Sequence, residues 1–521
     1  MALASALLKL AVFLTNSMPF NSDEAVVALM ARHFLQGRWT AFFYGQAYMG
    51  SLDAALVALG FAAFGQRVEV IRWIQLLLYA GTVFTSVVLT WRLTRSMIAG
   101  SVAGLLLAVP PVNVLLYTSV SLGGYGEALL LGNLILLLTL TLMEREASPG
   151  LCALWGLLAG LAFWAFGLSL VYSLPAAAAL AWHQRHDRLR GRGWLAAAAG
   201  VAVGMAPLLV WAASHGAELV VQELLGSAIA GASPSSLLAA WLEHGRNLAL
   251  LGSTVILGFR PPWDARWLAL PLLPFSLAFW SAVNVHTLSA LRRPDAAPMG
   301  RAMVAGVGAT TLIGFVLTPF GADPSGRYFL PLAVPMAFFA GSMMHDVVSR
   351  GGRRWLASTV VLVLAFNLWG IIDGVSRNPP GLTTQFDPVT RIDHQSDNEL
   401  IRFLMQNDER AGYANYWVAY PLAFLSAEEL IYVPRLPYHV DMRYTPRDDR
   451  YSPYDERVEK SASVAYITTN HPDLDEVIRQ GLTGLGVSFE EASIGSYHVF
   501  FHLSSRVTPE MLGLPAEGEA R

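Results

Sequence analysis

From residue 2 to about residue 373 the chain is a succession of long apolar blocks separated by short polar stretches. Beyond that point the blocks stop, and short runs with helical or alternating periodicity take over. A helix of about 20 apolar residues crosses a bilayer. On that measure the pattern predicts about eleven spans: 2–20, 70–91, 97–117, 128–143, two short ones within 151–182 that turn near Phe166 and Gly167, 194–212, 267–290, 302–320, 328–344 and 355–373. Two apolar segments read differently. Residues 51–65 are short, rich in glycine and alanine, and carry Asp53 near their start, which suits a helix lying at the membrane interface. Residues 247–259 are too short to span and should dip or lie flat. The first block carries Lys9 and lacks a small-x-small cleavage site, so it reads as a retained span rather than a signal peptide.

Between the first two spans lies a stretch with a different pattern. Asp23 and Glu24 open a run in which Val26, Val27, Leu29, Met30, Phe34 and Leu35 alternate at helical spacing with Arg32, His33 and Gln36. Such a helix is expected along the membrane surface, apolar side in lipid. Ser22 or Asp23 is placed to cap it. Orientation comes from basic clusters at Arg92 and Arg95, at Arg185, Arg188, Arg190 and Arg192, at Arg292 and Arg293, and at Arg350, Arg353 and Arg354. The positive-inside rule puts these in the cytoplasm. The N-terminus is then cytoplasmic, and Asp23 and the C-terminal part lie outside.

The linker signal Asn378-Pro379-Pro380-Gly381 marks the change of character. Past it, 397–407 and 474–482 have helical periodicity, and 429–433, 464–468 and 497–503 read as strands. The expected organisation is a polytopic α-helical membrane part over 1–375, a linker over 376–392 and a small extracytoplasmic α/β domain over 393–521.

Composition narrows the function classes. Only 14% of the 521 residues are charged and 54% are hydrophobic, against roughly a quarter charged in soluble domains. A net charge of −3 offers no basic surface for nucleic acid. The single cysteine, Cys152, sits in an apolar run and pairs with nothing in the chain. The 12 histidines show no HExxH or clustered ligand spacing.

The predicted topology collects a short list of polar groups on one face: Asp23, Glu24, Tyr125, Glu127, Arg246, Arg260, Asp264, Arg266, Asp323, Arg327 and Tyr328. Each has a structural reading beside a chemical one. Asp23 and Glu24 suit a helix N-terminus electrostatically, and a carboxylate there can also take a proton from an acceptor. Arg327, in the turn Gly321–Tyr328, can anchor a helix end or bind a lipid phosphate through paired hydrogen bonds. Glu127 opens a span as a cap or faces a site. Gly123, Gly124 and Gly126 before it match no phosphate-binding loop and can serve close chain approach. Arg260, beside Trp263, is an interface anchor or a substrate contact. In the C-terminal part Tyr413, Tyr416, Trp417 and Tyr420 form core packing or a surface for stacking sugars.

Taken together, a first span, the Asp23-Glu24 pair opening an amphipathic helix, the element Tyr44-Gly45-x-x-Tyr48 and the late element Arg327-Tyr328-x-x-Pro331 resemble the multispanning C-type glycosyltransferases. The likeness is closest to bacterial relatives of protein O-mannosyltransferases and aminoarabinose transferases (glycosyltransferase family 39-like) and covers about residues 1–375. The resemblance implies Asp23 as the base that deprotonates the acceptor, with Glu24 orienting the acceptor or substituting. It implies Arg327, Tyr328 and Arg260 at the phosphate of a polyprenyl-phosphate sugar, and Tyr44, Tyr48, Tyr125, Glu127 and Asp323 around acceptor or sugar. Transfer would proceed with inversion in the cell membrane, to a lipid, glycan or protein acceptor. No cofactor is required by the sequence, and a divalent cation between Asp23 and Glu127 is allowed. Two features depart from the family: many relatives carry an aspartate where this chain offers Glu127, and the tail after 375 matches no assignable domain, which leaves the acceptor open. A transporter or flippase of lipid-linked sugars is the rival, but its polar groups belong near the bilayer midplane rather than in loops at one face.

Overall fold

The apolar blocks fold as helices in a computed structural model that describes residues 1–144, 148–184, 190–226, 236–293, 298–379 and 381–514. Arg185 and Arg188 of the basic clusters and Pro380 of the linker signal lie outside the described residues. In chain order the first part contains α1 (Ala2–Leu14), α2 (Ser22–Leu35), β1 (Phe42–Phe43), β2 (Gln46–Gly50), α3 (Leu52–Phe64), α4 (Val68–Thr94), α5 (Met97–Ala108), α6 (Val112–Tyr117), α7 (Tyr125–Glu144), α8 (Pro149–Ala165), α9 (Leu170–His183), α10 (Arg190–Gly204), α11 (Ala206–His215), α12 (Ala217–Gly226), α13 (Leu237–Asn247), α14 (Ser253–Ile256), α15 (Leu273–Leu291), α16 (Pro298–Leu317), α17 (Ala333–Ser349) and α18 (Arg353–Ser376). The second part adds α19 (Asp397–Gln406), β3 (Ala411–Ala414), α20 (Tyr416–Leu425), β4 (Ile431–Val433), α21 (Pro453–Glu459), β5 (Ala465–Thr469), α22 (Pro472–Gly484), β6 (Glu490–Ile494) and β7 (Tyr497–Phe501).

This is a multi-pass helical membrane protein, but the count of full-length spans differs from the eleven expected. Among the described residues five helical segments are long and apolar enough to cross: Val68–Thr94, Tyr125–Glu144, Pro298–Leu317, Arg327–Ser349 and Ala357–Ser376. A sixth arises if α10 and α11, bent by 66°, count as one. The other expected spans are shorter or interrupted. α1 has 13 residues, about 20 Å at 1.5 Å per residue. The 97–117 block breaks at Pro110 and Pro111, whose rings and missing N–H groups end α5 before α6 begins. The 151–182 block turns where expected: α8 ends at Ala165, Phe166 is extended (φ −165°, ψ 124°), and its backbone bridges to Met49 of β2 before α9 starts. A hydropathy reading counts apolar residues and does not see such breaks.

The chain divides into two compact units. The first comprises Met1–Thr15, Thr40–Phe43 and Ala47–Asn378, and the second Asn16–Trp39, Tyr44–Gln46 and Pro379–Arg521. In the first, small residues let helices touch backbone to backbone. Gly156 and Gly160 of α8 face the carbonyls of Ala197 and Val201, while Gly200 and Gly204 of α10 face those of Ala153 and Leu157. This is the close packing that small-xxx-small spacing permits in apolar surroundings.

The second unit is built on a five-stranded sheet in the order β4-β3-β5-β7-β6. β3 runs parallel to β4 and β5, with Tyr413 opposite Val433 and Tyr466. β7 is antiparallel to β5 and β6, and Val499 pairs with Ile467 and Ala492. Leu400 and Leu404 of α19, Val418 and Leu422 of α20, and Ile467 and Val499 of the sheet share one core.

Helix α2 belongs to this unit, although most of the unit begins only at Pro379. It does not lie with one side in lipid. Every residue from Glu24 to Phe34 is buried, Arg32 and His33 included. The apolar spacing was a true helix signal, but periodicity cannot distinguish a face that meets lipid from one that meets protein. Polar bonds hold α2 to α20 and the turn after it. Arg32 donates to the Phe424 carbonyl at 3.0 Å and lies 3.6 Å from Glu428, which His33 Nε2 meets at 3.1 Å.

Candidate active site

In the second unit the predicted residues Asp23 and Glu24 lie at the N-terminus of α2. Asn21, not Ser22 or Asp23, caps the helix: its Oδ1 accepts the Glu24 N–H at 3.1 Å. The Asp23 carboxylate is therefore not the cap. Its Oδ1 instead accepts a hydrogen bond of 2.6 Å from the Tyr416 hydroxyl. Ser22 Oγ donates to the Tyr416 carbonyl, so adjacent residues of α2 grip the same tyrosine. Asp23 is half-buried and Glu24 fully buried. Nearby, burial raises the Asp448 carboxyl to about 6; Arg450 pulls it down, and the charge of Asp23 adds to the rise.

Tyr44 is in this unit as well. Its hydroxyl lies 2.7 Å from His33 Nδ1, and its ring stacks on Tyr451 at 4.5 Å. The aromatic run 413–420 follows mainly its packing reading, since Tyr413, Tyr416 and Tyr420 are all buried. Neither Tyr416 nor Asp448 stood out in the sequence as a partner of Asp23. The only signal was the density of aromatics around Tyr416.

In the first unit the remaining residues converge around the turn before α17. Gly326 has φ +108°, and a Cβ there would meet Val255 Cγ1 at 2.5 Å, so only glycine fits. The turn sets Arg327 at the start of the helical segment that leads into α17. The Arg327 guanidinium pairs with Asp323 at 2.5 Å and sits 5.0 Å from the centre of the Tyr328 ring. Tyr328 is buried and contacts Phe320, with ring centres 4.8 Å apart. The Tyr125 hydroxyl interacts with that of Tyr328 and feels the charges of Arg327 and Asp323 and the hydroxyl of Tyr48. Gly124 lets this end of α7 approach closely, since a Cβ there would meet the Ala165 carbonyl at 2.6 Å.

Tyr48 and Tyr328 also line an apolar groove of about 390 Å³, together with Phe163, Phe166, Leu170 and Phe315. Tyr48, Tyr125, Asp323, Arg327 and Tyr328 thus form one cluster at an apolar groove, drawn from β2, α7 and the turn before α17.

Glu127 and Arg260 have other surroundings. Glu127 is buried beside Asp53, whose carboxylate accepts from Gln75 at 2.9 Å and from Ser121. Arg260 donates to Thr254 Oγ1 at 2.9 Å and to the carbonyls of Leu251 and Asp264 at 3.1 and 3.3 Å, which braces its own loop. Among the described residues no three His, Cys, Asp or Glu side chains converge as a metal site. Asp23 and Glu127, the pair considered for a cation, lie in different units.

No family model and no curated protein matches the sequence. Solved structures do match over nearly the whole chain. ArnT from Cupriavidus metallidurans bound to undecaprenyl phosphate superposes with a TM-score of 0.61 at 12% identity, covering 96% of this chain and 97% of that one. The Archaeoglobus fulgidus oligosaccharyltransferase in complex with Zn and sulfate gives 0.55 at 12% identity, over 99% of this chain and 76% of that one. The AglB oligosaccharyltransferase from the same organism, in complex with an inhibitory peptide and a dolichol-phosphate, gives 0.50 at 12% identity, over 92% and 70%. At such identities the likeness is one of fold: this chain shares the fold of ArnT and of the archaeal oligosaccharyltransferase.

Proposed function

We propose that the protein is a membrane glycosyltransferase that moves a sugar from a polyprenyl-phosphate-linked donor to an extracytoplasmic acceptor, with inversion. The observation that carries this reading is a cation at an apolar groove: Arg327 stands over Tyr328, and Tyr328 lines the groove. A prenyl phosphate needs both features at once, apolar wall for the chain and a fixed charge for the head. The N-terminus is cytoplasmic in this reading, and Asp23 and the second unit face outward.

The acceptor's hydroxyl or amine attacks the anomeric carbon as its proton passes to the Asp23 carboxylate. The bond from that carbon to the phosphate oxygen breaks on the opposite face, which inverts the centre. Negative charge grows on the departing lipid phosphate, where Arg327 stabilises it in two-pronged geometry. Asp323 holds the guanidinium in place before the donor arrives. Tyr48 and Tyr125 contact the sugar, Tyr44 the acceptor, and Glu24 supports Asp23. Chelation by EDTA reads whether a divalent cation joins the carboxylates.

The buried Asp53–Glu127 pair is the feature that suits a transporter of lipid-linked sugars instead. One assay separates the two. Purified protein in nanodiscs is given a panel of radiolabelled polyprenyl-phosphate sugars with envelope extract as acceptor. Wild type should release sugar from lipid, and Asp23→Asn and Arg327→Ala should lose at least 100-fold of that rate, about 2.7 kcal/mol of barrier. Movement of lipid across the bilayer without sugar release would overturn the transferase reading.

A further inference from the structure

We infer that Tyr416, at the start of α20, is a positioning residue that holds the Asp23 carboxylate in its reactive orientation. This rests on the reading of Asp23 as the base.

The geometry is specific to that pair. Tyr416 Oη donates to Asp23 Oδ1 at 2.6 Å, and Ser22 Oγ binds the same residue's carbonyl. A carboxylate held by one oxygen keeps its second oxygen, with its lone pairs, available for a proton from the acceptor. The tyrosine is itself fixed. Asn415 caps α20 by accepting the Trp417 N–H at 3.0 Å, and its Nδ2 donates to Thr469 Oγ1 at 2.8 Å. Asn415 follows β3, and Thr469 ends β5, so the central strands of the sheet set where α20 begins. The Tyr416 ring packs against Trp417 at 5.0 Å and Tyr420 at 5.5 Å, and the Arg450 guanidinium lies 5.4 Å from its centre. A continuous chain of bonded groups therefore runs from the sheet through Asn415 and Tyr416 to Asp23. Burial, then the Asp23 charge, raises the Tyr416 phenol well above its ordinary range, so the hydroxyl stays a donor at every working pH. The far end of α2 is clamped as well, through Arg32, His33 and Glu428. Asp23 and the groups that hold it thus all belong to the sheet-containing unit.

The test compares Tyr416→Phe, Asp23→Asn and the double variant in the same sugar-release assay, with undecaprenyl-phosphate-linked sugars as probes. A control, Tyr432→Phe, removes another buried tyrosine hydroxyl of the same unit, one that donates to the Glu409 carbonyl at 2.9 Å. Loss of one hydrogen bond to a charged group should lower kcat for Tyr416→Phe roughly tenfold to a hundredfold. The KM for donor and the thermal midpoint should stay at wild-type values. In the Asp23→Asn background the same change should do nothing further, because a residue that acts through Asp23 has nothing left to position. Wild-type kcat in Tyr416→Phe, or an equal further loss in the double variant, overturns the inference and leaves the transferase reading intact. Full activity in Asp23→Asn overturns the base assignment itself, and this inference with it.

Discussion

At the scale of single residues, the structure separates neighbours that the sequence presents as equivalent. Asn21, Ser22, Asp23 and Glu24 are four consecutive polar residues at a helix start. Asn21 takes the cap, Ser22 and Asp23 turn to Tyr416, and Glu24 is buried. Their spacing is compatible with any of them capping, so the assignment had to come from which partners stand nearby. Glu428 is a second residue whose part is invisible in sequence. Partial burial alone would raise it, but the hydrogen bonds of His33 and Tyr454 and the charges of His33 and Arg32 outweigh this and lower the carboxyl to about 2. An unfolded glutamate titrates near 4.3. The group therefore adds stability above that pH, and the contribution is lost as pH falls from there toward 2. Glu428→Gln should lower the unfolding free energy read from urea titration at pH 7 by about 1 kcal/mol or less, because the carboxyl is partly exposed, and the difference should shrink as pH falls toward 2. An unchanged difference between pH 7 and pH 2 would show that lost packing, not lost charge, is responsible.

At the scale of elements, most helices were legible and their ends and surroundings were not. Apolar blocks near 20 residues became α4, α7 and α16 almost as read. The turn at Phe166 was legible because one block was too long for a single crossing. The bend at Met205 went unread although Gly204 and Pro207 flank it, with proline in the first turn of α11, where a new helix starts. α2 shows the same boundary from another side: its helical spacing was plain, its burial was not. Glycine spacing in α8 and α10 has a direct consequence at this scale. Gly200 has the Ala153 carbonyl where its Cβ would be. Gly200→Leu should force the two helices apart and cost about 1–3 kcal/mol through overpacking, seen as a lower thermal midpoint in detergent. Gly191→Leu, where a Cβ meets nothing, should leave that midpoint in place.

For the molecule as a whole, the division into two units changes what the C-terminal part is for. An anchor or appendage would leave the first 375 residues self-sufficient. Instead α2, with the proposed base, belongs to the same unit as the sheet. Truncation after Asn378 should therefore strip α2 of the partners at Tyr416, Phe424 and Glu428. The truncated protein should lose sugar release, and trypsin should cut at Arg32, which is buried in the full chain. Resistance of Arg32 to trypsin in the truncated protein would mean that α2 holds its place without the sheet.

The sequence by itself determined the membrane class, the positions of the long helices, the α/β character of the tail and the residue types suited to the chemistry. These depend on local quantities: apolar length, periodicity, and the presence of a carboxylate or a guanidinium. Only the tertiary structure decided which of those groups meet. Tyr48, Tyr125 and Arg327 come together from segments up to 279 positions apart, and Asp23 finds its partner 393 positions away. Such pairings follow from the packing of whole helices and strands, in which each contact depends on all the others. No window along the chain contains that information.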